Sequence, residues 1–481
     1  GQLVGGFAGR AIDASMLSPR EGPRVKSLQI MESREGAGLP KVYGRMRVGG
    51  QVIWASRFKE KRSERSAGKG GPKYINYTYS VSFAVALCQG PVARIDRVWA
   101  NGELFDLSAH NWRFYPGDEA QLPDPLIEAI EGTGNTPAYR GTSYIVFEDL
   151  PLDAFGSRLP QLSFEVVRTG NVGQGSLAKT VEGVNIIPAS GEFVYATTIV
   201  RDRRFPGIET PLNRNNIRGQ SDFSLSLEQL QTDLPNVRSA ALTVGWFGDD
   251  LRAGTCTIRP GIEQTDRSTV PFAWTVAGIE RDKAYLISRT LESPNYGGTP
   301  ADAAVLEGIR ALKEAGIAVT LSPFLFMDIP PDNERPDPYG GAQQSAFPWR
   351  GRITVSADKT AAARREIDRF VGRDEGFGFR HFILHHARLA ARAGGVEAFL
   401  IGSEMVALTR VRDDQGRFPF VEALMEIAQD VRTIVGPGVI VSYAAEWTEY
   451  VAYAPGERSG DVLVPLDALW ADDAIDFIGV D

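Results

Sequence analysis

The stretch that most limits the fold is 396–404, Val396-Glu-Ala-Phe-Leu-Ile-Gly-Ser-Glu404. Residues 398–401 read as a short buried strand that runs into a small-residue turn and presents one carboxylate, Glu404. Helix-like runs flank it at 361–393 and 418–435. Helix, strand, acid, helix is the order in which (β/α)8 barrels place chemistry, because loops after parallel strands open into one mouth. The rest of the second half continues the alternation. A helix at 224–234 leads to a buried strand at 238–247, followed by Asp249 and Asp250. A second strand lies near 273–276 or 284–287. A helix at 299–315, with Pro300 early and Gly316 just past its end, leads to a strand at 317–322 and then to Asp328. A strand at 439–445 ends in Glu446 and Trp447, and a last one, 475–481, ends in Asp481. Such alternation implies parallel strands joined by crossover helices. About six strands are read where a closed barrel has eight. The barrel is therefore expected to be incomplete in this chain, with a longer natural protein beyond both Gly1 and Asp481.

The first third has a different period. From 24 to 168 apolar residues alternate and turns punctuate them, as in a β-rich module. Residues 42–48 and 51–55 flank Gly49-Gly50 and read as a hairpin. A long strand covers 74–87, further strands cover 92–99, 142–147 and 161–167, and a short helix covers 124–131. The charged stretch 59–73 reads as a solvated loop, or as an arm that clasps a neighbouring subunit. Residues 193–200 read as a strand pairing back onto this module. The expected divisions are a Gly/Ala-rich segment 1–24, a β-rich domain 25–170, a strand and linker 171–220, and the barrel 221–481.

Composition narrows the function. The net charge of −8 argues against a dominant nucleic-acid-binding surface. Two distant cysteines, Cys88 and Cys256, make no disulfide framework and suit folding in a reducing cytoplasm. GxxxxGK[ST] does not occur, so no phosphate-binding loop is read, and no cofactor is called for. His381 and His385 share a helix face beside His386, but the glutamate of HExxH is missing. They read as a solvated or partly buried face rather than a metal site.

Several stretches resemble phage tail-tip proteins. They are Leu39-Pro-Lys-Val-Tyr-Gly-Arg-Met-Arg-Val-Gly-Gly-Gln-Val-Ile-Trp54, Tyr79-Ser-Val-Ser-Phe-Ala-Val-Ala-Leu-Cys-Gln-Gly-Pro91, Arg97-Val-Trp-Ala-Asn-Gly102 and Tyr139-Arg-Gly-Thr-Ser-Tyr-Ile-Val-Phe-Glu-Asp-Leu150. The family includes the lambda tip-attachment protein and the large "megatron" baseplate protein of gene transfer agents. The second half resembles the TIM-barrel-like domain of the latter, which in turn looks like glycoside hydrolases. The carrying residues are Val244-Gly-Trp-Phe-Gly-Asp-Asp250, Tyr296-Gly-Gly-Thr-Pro300, Phe347-Pro-Trp-Arg-Gly-Arg352, Phe399-Leu-Ile-Gly-Ser-Glu404, Tyr443-Ala-Ala-Glu-Trp447 and Asp476-Phe-Ile-Gly-Val-Asp481.

The resemblance implies a trimeric baseplate hub in a virion tail. Its neighbours would be a distal tail protein, another hub protein and a tape measure protein. DNA would pass through the lumen without specific binding, and the barrel would face the host envelope and its glycans. It also implies that Glu404, after the fourth strand, corresponds to a glycosidase acid/base. A retaining enzyme needs a second carboxyl about 5–5.5 Å away. The residue before that acid is usually Asn; here it is Ser403. Trp246, Asp249, Asp328, Glu446, Trp447 and Asp481 are the candidate substrate-binding residues. The tryptophans could stack on a sugar or pack in the core, and Asp249 and Asp250 could cap the next element. The alternatives to a structural tail protein are a cell-wall glycoside hydrolase and a free cytosolic barrel enzyme.

Overall fold

The computed structural model describes residues 20–21, 36, 38–66, 73–169, 177–204, 207–216, 218–372, 376–455, 460 and 462–481. The chain divides into two units, 1–173 with 216–219, and 174–215 with 220–481. The first holds 22 Lys and Arg against 18 Asp and Glu, the second 30 against 42. The acidic surplus thus belongs to the second unit.

The first unit is built on two sheets. In one, the 17-residue strand Lys73–Gln89 pairs with Gln51–Ala55 and Lys59–Ser66 on one edge and with Thr142–Pro151 on the other, which in turn pairs with Asn111–Tyr115. In the other, Leu162–Arg168 lies between Gly44–Gly49 and Arg94–Ala100. The long strand shows why it begins polar and ends apolar. Over 75–79 alternate residues are buried, whereas every residue of 81–88 is. Its C-terminal half is covered on both faces, on one by the main core of the unit (Phe83, Val85, Leu87), on the other by a small cluster in which Ala84 meets Ile127, Tyr144 and Val146. Helix Pro125–Glu131 starts where expected, because Asp124 accepts from Leu126 N at 2.9 Å and Ile127 N at 3.2 Å.

Two expectations for this unit are corrected. Gly44–Gly49 and Gln51–Ala55 are not a hairpin; they lie in different sheets. The chain crosses between sheets at Gly50, where a Cβ would run into the Val85 side chain. The charged stretch 59–73 is not all loop either. Lys59–Ser66 is a strand in register with 73–80. Charged residues tolerate this because an edge strand keeps one face and one edge in water. Residues 67–72 of that stretch lie outside the described ones, as does most of 1–24.

The second unit is organised by six parallel strands in sequential order: β1 (Gly183–Ala189), β2 (Ser239–Gly248), β3 (Ala318–Met327), β4 (Ala398–Ser403), β5 (Ile440–Ala445) and β6 (Gly479–Val480). Ile258–Arg259 adds one short antiparallel partner to β2. The helices used below are α1 (Asp222–Asp233), α2 (Asp302–Glu314), α3 (Ala361–Val371), α4 (Phe379–Arg392), α5 (Val406–Thr409), α6 (Pro419–Val435) and α7 (Trp447–Tyr450); Leu177–Thr180 and Asp467–Trp470 are two further single turns of helix. One contiguous core joins strand residues such as Leu242, Leu321, Phe399 and Val441 to helix residues such as Ile309, Phe382, Leu424 and Ile427. The sheet is an open, barrel-like arc with β6 at its edge.

The expected second strand near 273–276 or 284–287 is not part of this sheet. Those residues form two-residue pairs, Thr275–Val276 with Ile279–Glu280 and Tyr285–Leu286 with Gly261–Ile262. The sixth parallel strand is β1, which the sequence reading passed over. It pairs with β2 across 183–189, so residues 193–200 are neither a strand nor part of the first unit. They turn at Gly191 (φ 121°) and bury Phe193, Tyr195, Ala196 and Val200 in the second unit's core. The run 361–393 is two helices. Gly372 has φ 67°, and a Cβ on Gly378 would lie 2.6 Å from Val371 O, so the chain turns closely there.

Candidate functional site

The strands deliver the predicted residues to one end of the sheet, but only some of them meet. β4 is the fourth parallel strand, and Glu404 follows it directly. Between Leu400 and Ser403 the register with β5 shifts. Gly402 (φ 132°) and Glu404 (φ 53°) make the irregular turn, which re-aims the carboxylate. Glu404 N still reaches Ala444 O at 2.9 Å.

The carboxylate of Glu404 has two donors. Trp349 Nε1 lies 2.7 Å from Oε2, and Arg350 Nη2 lies 2.8 Å from the same oxygen. Arg350 is 5% exposed. It also donates from Nε to Ser403 O (3.0 Å) and from Nη2 to Ser403 Oγ (2.7 Å), and its guanidinium sits 3.9 Å from the centroid of Phe324. Burial pulls its pKa down, and Glu404, Tyr443 and Asp481 oppose that. Ser403 thus anchors the arginine.

Asp481 follows β6, and its N–H bonds Ala445 O at 2.7 Å. Its pKa is raised by burial and then by the charge of Glu404, with Arg350 acting against both. Glu404, Arg350 and Asp481 therefore form one electrostatic group. Aromatic rings extend it: Phe324 meets Phe326 at 4.9 Å, Phe326 meets Tyr296 at 5.2 Å, and Tyr296 meets Phe347 at 5.7 Å. Phe324 and Phe326 share one face of β3, opposite Leu325. Phe347 and Trp349 are more than a third exposed.

The other predicted residues have different occupations. Trp246 is corrected: it is fully buried against α4, its ring 5.5–5.9 Å from Phe382, His381, His385 and His386, and it offers no stacking surface. Strand alternation puts it on the face of β2 opposite Phe247, which packs on Phe326. Asp249 accepts from Thr257 N (2.8 Å) and Arg259 Nη2 (3.2 Å). Asp250 is fully buried and holds Arg252, Thr255 and Gln344. Burial alone would raise its pKa, but the bonds from Arg252, Gln344 and Thr255 take it down to about 2. Asp328 accepts from Tyr285 Oη (2.7 Å), Ser288 N (2.8 Å) and Ser288 Oγ, so it ties down the loop before α2. Glu446 caps α7 through Thr448 N at 2.7 Å. Trp447 is 65% exposed.

Of the histidines, His386 is buried and donates from Nδ1 to Phe382 O (2.7 Å), with burial lowering its pKa to about 3; His385 pairs with Asp302 at 2.9 Å. Among the described residues no group of three or more His, Cys, Asp or Glu could hold a metal ion.

Sequence reasoning missed Trp349 and Arg350 as members of the site. Their motif, Phe347-Pro-Trp-Arg-Gly-Arg352, was a signal, but its distance from Glu404 in sequence hid the contact. It also missed Glu449, which is 2% exposed, with burial raising its pKa to about 7.

The arrangement defines a class: a parallel, helix-backed barrel-like sheet whose strand ends carry a carboxylate–guanidinium group beside aromatic rings. Residues 377–481 match the model of the GTA TIM-barrel-like domain. A chain from the virion of a native gene transfer agent particle is 42% identical over 36% of this chain and 39% of its own length, with a TM-score of 0.25. This chain thus spans well under half of that relative. A GH113 β-1,4-mannanase is 14% identical over 53% of this chain and 55% of its own (TM-score 0.29). The β-mannanase AaManA from Alicyclobacillus acidocaldarius is 15% identical over 51% and 50% (TM-score 0.26). Likenesses that weak carry no argument about activity. No curated protein matches the sequence.

Proposed function

We propose that the chain is a structural component of the tail of a phage-like, gene-transfer-agent particle. The observation that carries this reading is the GTA TIM-barrel-like domain at 377–481, beside the segment 42% identical to a particle protein. The first unit acts as a trimeric baseplate hub, and Lys59–Ser66, an edge strand of its larger sheet, is suited to inter-subunit contact. Its partners are a distal tail protein, a second hub protein and a tape measure protein, with DNA passing without specific contacts. The barrel-like unit faces the host envelope, where Trp349, Phe347 and the Glu404–Arg350 pair engage a glycan.

A second reading, a cell-wall glycoside hydrolase with Glu404 as acid/base, is favoured by one observation: Glu404 and Asp481 end two strands of one sheet, and the charge of Glu404 helps to raise the pKa of Asp481. Both are tested by tagging the chain in the cell that encodes it and fractionating induced particles. The structural reading expects the chain in intact particles, with threefold density at the tail tip. A chain that stays monomeric and never enters particles overturns it. Particles carrying Glu404→Gln should assemble normally. Loss of wall cleavage with that substitution would establish the hydrolase, and unchanged gene transfer counts against it.

A further inference from the structure

The short helix α7 stands after β5, on the rim beside Glu404. It begins with a capping box: Glu446 accepts from Thr448 N, and Glu449 accepts from Glu446 N at 3.2 Å. Glu449 is buried. Its Oε1 accepts from Tyr443 Oη at 2.9 Å and from Thr409 Oγ1 at 2.8 Å. Tyr443 Oη in turn accepts from Met405 N at 2.7 Å, the residue next to Glu404. One carboxyl therefore joins α7, α5, β5 and the turn that aims Glu404. Arg410 closes the other side of α7, donating from Nη2 to Thr448 O at 2.6 Å.

We propose that Glu449 is a proton-operated latch on the rim of the Glu404 mouth: protonated, it holds α7 and the Met405 turn shut, and ionised, it lets them open. The proposal goes beyond the functional reading and does not depend on whether the mouth binds or cleaves.

Three observations support it. First, the site accommodates the proton. Thr409 Oγ1 lies 3.1 Å from Val406 O as well as 2.8 Å from Glu449. Its hydroxyl can donate to an ionised Glu449, or turn to Val406 O and accept the proton of a neutral one. Second, among the described residues the charged and titratable groups that act on Glu449 include Arg410 beyond α5, Arg350 from the loop after β3 and Tyr443 from β5, while Glu446 on its own element gives it a backbone N–H. Third, burial raises the Glu449 pKa to about 7, against the opposing bonds from Thr409, Tyr443 and Glu446 N and the charge of Arg410. A raised pKa means that the closed form binds the proton more tightly than the open one. Closure is then fully stabilised below the ordinary value of 4.5 and weakens as pH rises through about 7.

The test is amide hydrogen exchange on the full chain from pH 5.5 to 8.5, corrected for intrinsic rates. Peptides covering 404–410 and 446–453 should open progressively as pH rises from 5.5 to about 7, by up to about tenfold per pH unit for one proton, and level off above it. Glu449→Gln should leave both peptides equally protected at all pH values. A flat wild-type profile, or a pH dependence that survives in Glu449→Gln, overturns the latch. Should that variant fail to fold, Tyr443→Phe combined with Thr409→Val decides. The pair cuts both links from the carboxyl to 404–410 but keeps the carboxyl itself, so 446–453 should stay pH-dependent while 404–410 loses its dependence. Dependence retained in both peptides, or in neither, overturns the proposal.

Discussion

Arg350 Nη2 stands 2.8 Å from Glu404 Oε2, and the same guanidinium holds the Ser403 carbonyl and hydroxyl. The arginine therefore fixes the end of β4 as well as the carboxylate. Arg350→Met should cost about 3 kcal/mol, the range for removing one partner of a buried ion pair, because Ser403 O and Glu404 both lose a donor. Glu404→Gln keeps an acceptor for Trp349 and for Arg350, and Asp481 still offsets the guanidinium charge, so it should cost less, about 1 kcal/mol. Urea denaturation of both variants measures the difference. Equal costs would mean that Arg350 does not prop the strand end.

Gly402 makes a second, separable prediction. Its φ of 132° is one that a side chain rarely adopts, and a Cβ there would lie 2.8 Å from Phe379 Cζ. Gly402→Ala should destabilise the second unit by about 1–3 kcal/mol through backbone strain, with a steric part added. Combining it with Phe379→Leu should relieve only the steric part. Thermal denaturation of the two single variants and the double reads this directly. Full rescue by Phe379→Leu would show that the backbone carries no strain.

How much of this was legible depends on the range of the interaction. Helix starts and most strands were readable because their causes are local: Asp124 capping its own helix, Ser221 capping α1 through Ser224 N, alternation along β3. The strand before Glu404 was readable for the same reason. Three errors share another cause. β1 is short, with exposed alternate residues, and only its partner β2 makes it a strand. Gly49-Gly50 looks like a hairpin turn until Val85 and Phe164 fill the space beside Gly50. Trp246 looks like a mouth residue until strand parity assigns it to α4. The site was half legible: Glu404 and Asp481 sit at strand ends, which pattern reveals, whereas Trp349 and Arg350 reach them from a loop over 50 residues away.

Part of the acid sensitivity should come from Asp250. Its pKa is depressed to about 2 by Arg252, Gln344 and Thr255, from an ordinary 3.8. A depressed carboxylate stabilises the fold above its unfolded pKa, and that contribution is lost as pH falls through the folded value. At roughly 1.4 kcal/mol per unit the contribution is about 2 kcal/mol, fully present above pH 4 and gone below pH 2. Asp250→Asn should lower stability at pH 7 and flatten the decline between pH 4 and 2. Chemical denaturation across that interval checks it, and an unchanged acid limb would move the sensitivity to another carboxylate.

The last prediction separates tryptophans that hold the fold from those that could touch a ligand. Trp246 is completely buried and surrounded by α4, so Trp246→Ala should cost about 3–5 kcal/mol, the range for emptying a large core site. Trp349 is 41% exposed and gives its indole N–H to Glu404. Trp349→Ala should cost about 1 kcal/mol, the net worth of one hydrogen bond. Binding should order them the other way. If the mouth engages a glycan, Trp349→Ala removes both a stacking face and a donor that orients Glu404, so affinity for cell-wall oligosaccharides should drop at unchanged fold. Trp246→Phe, which keeps most of the core volume, should bind as wild type does. Calorimetric titration of these two variants decides the matter: lost affinity in Trp246→Phe with retained affinity in Trp349→Ala would place the ligand on the α4 side of the sheet and remove Glu404 from it.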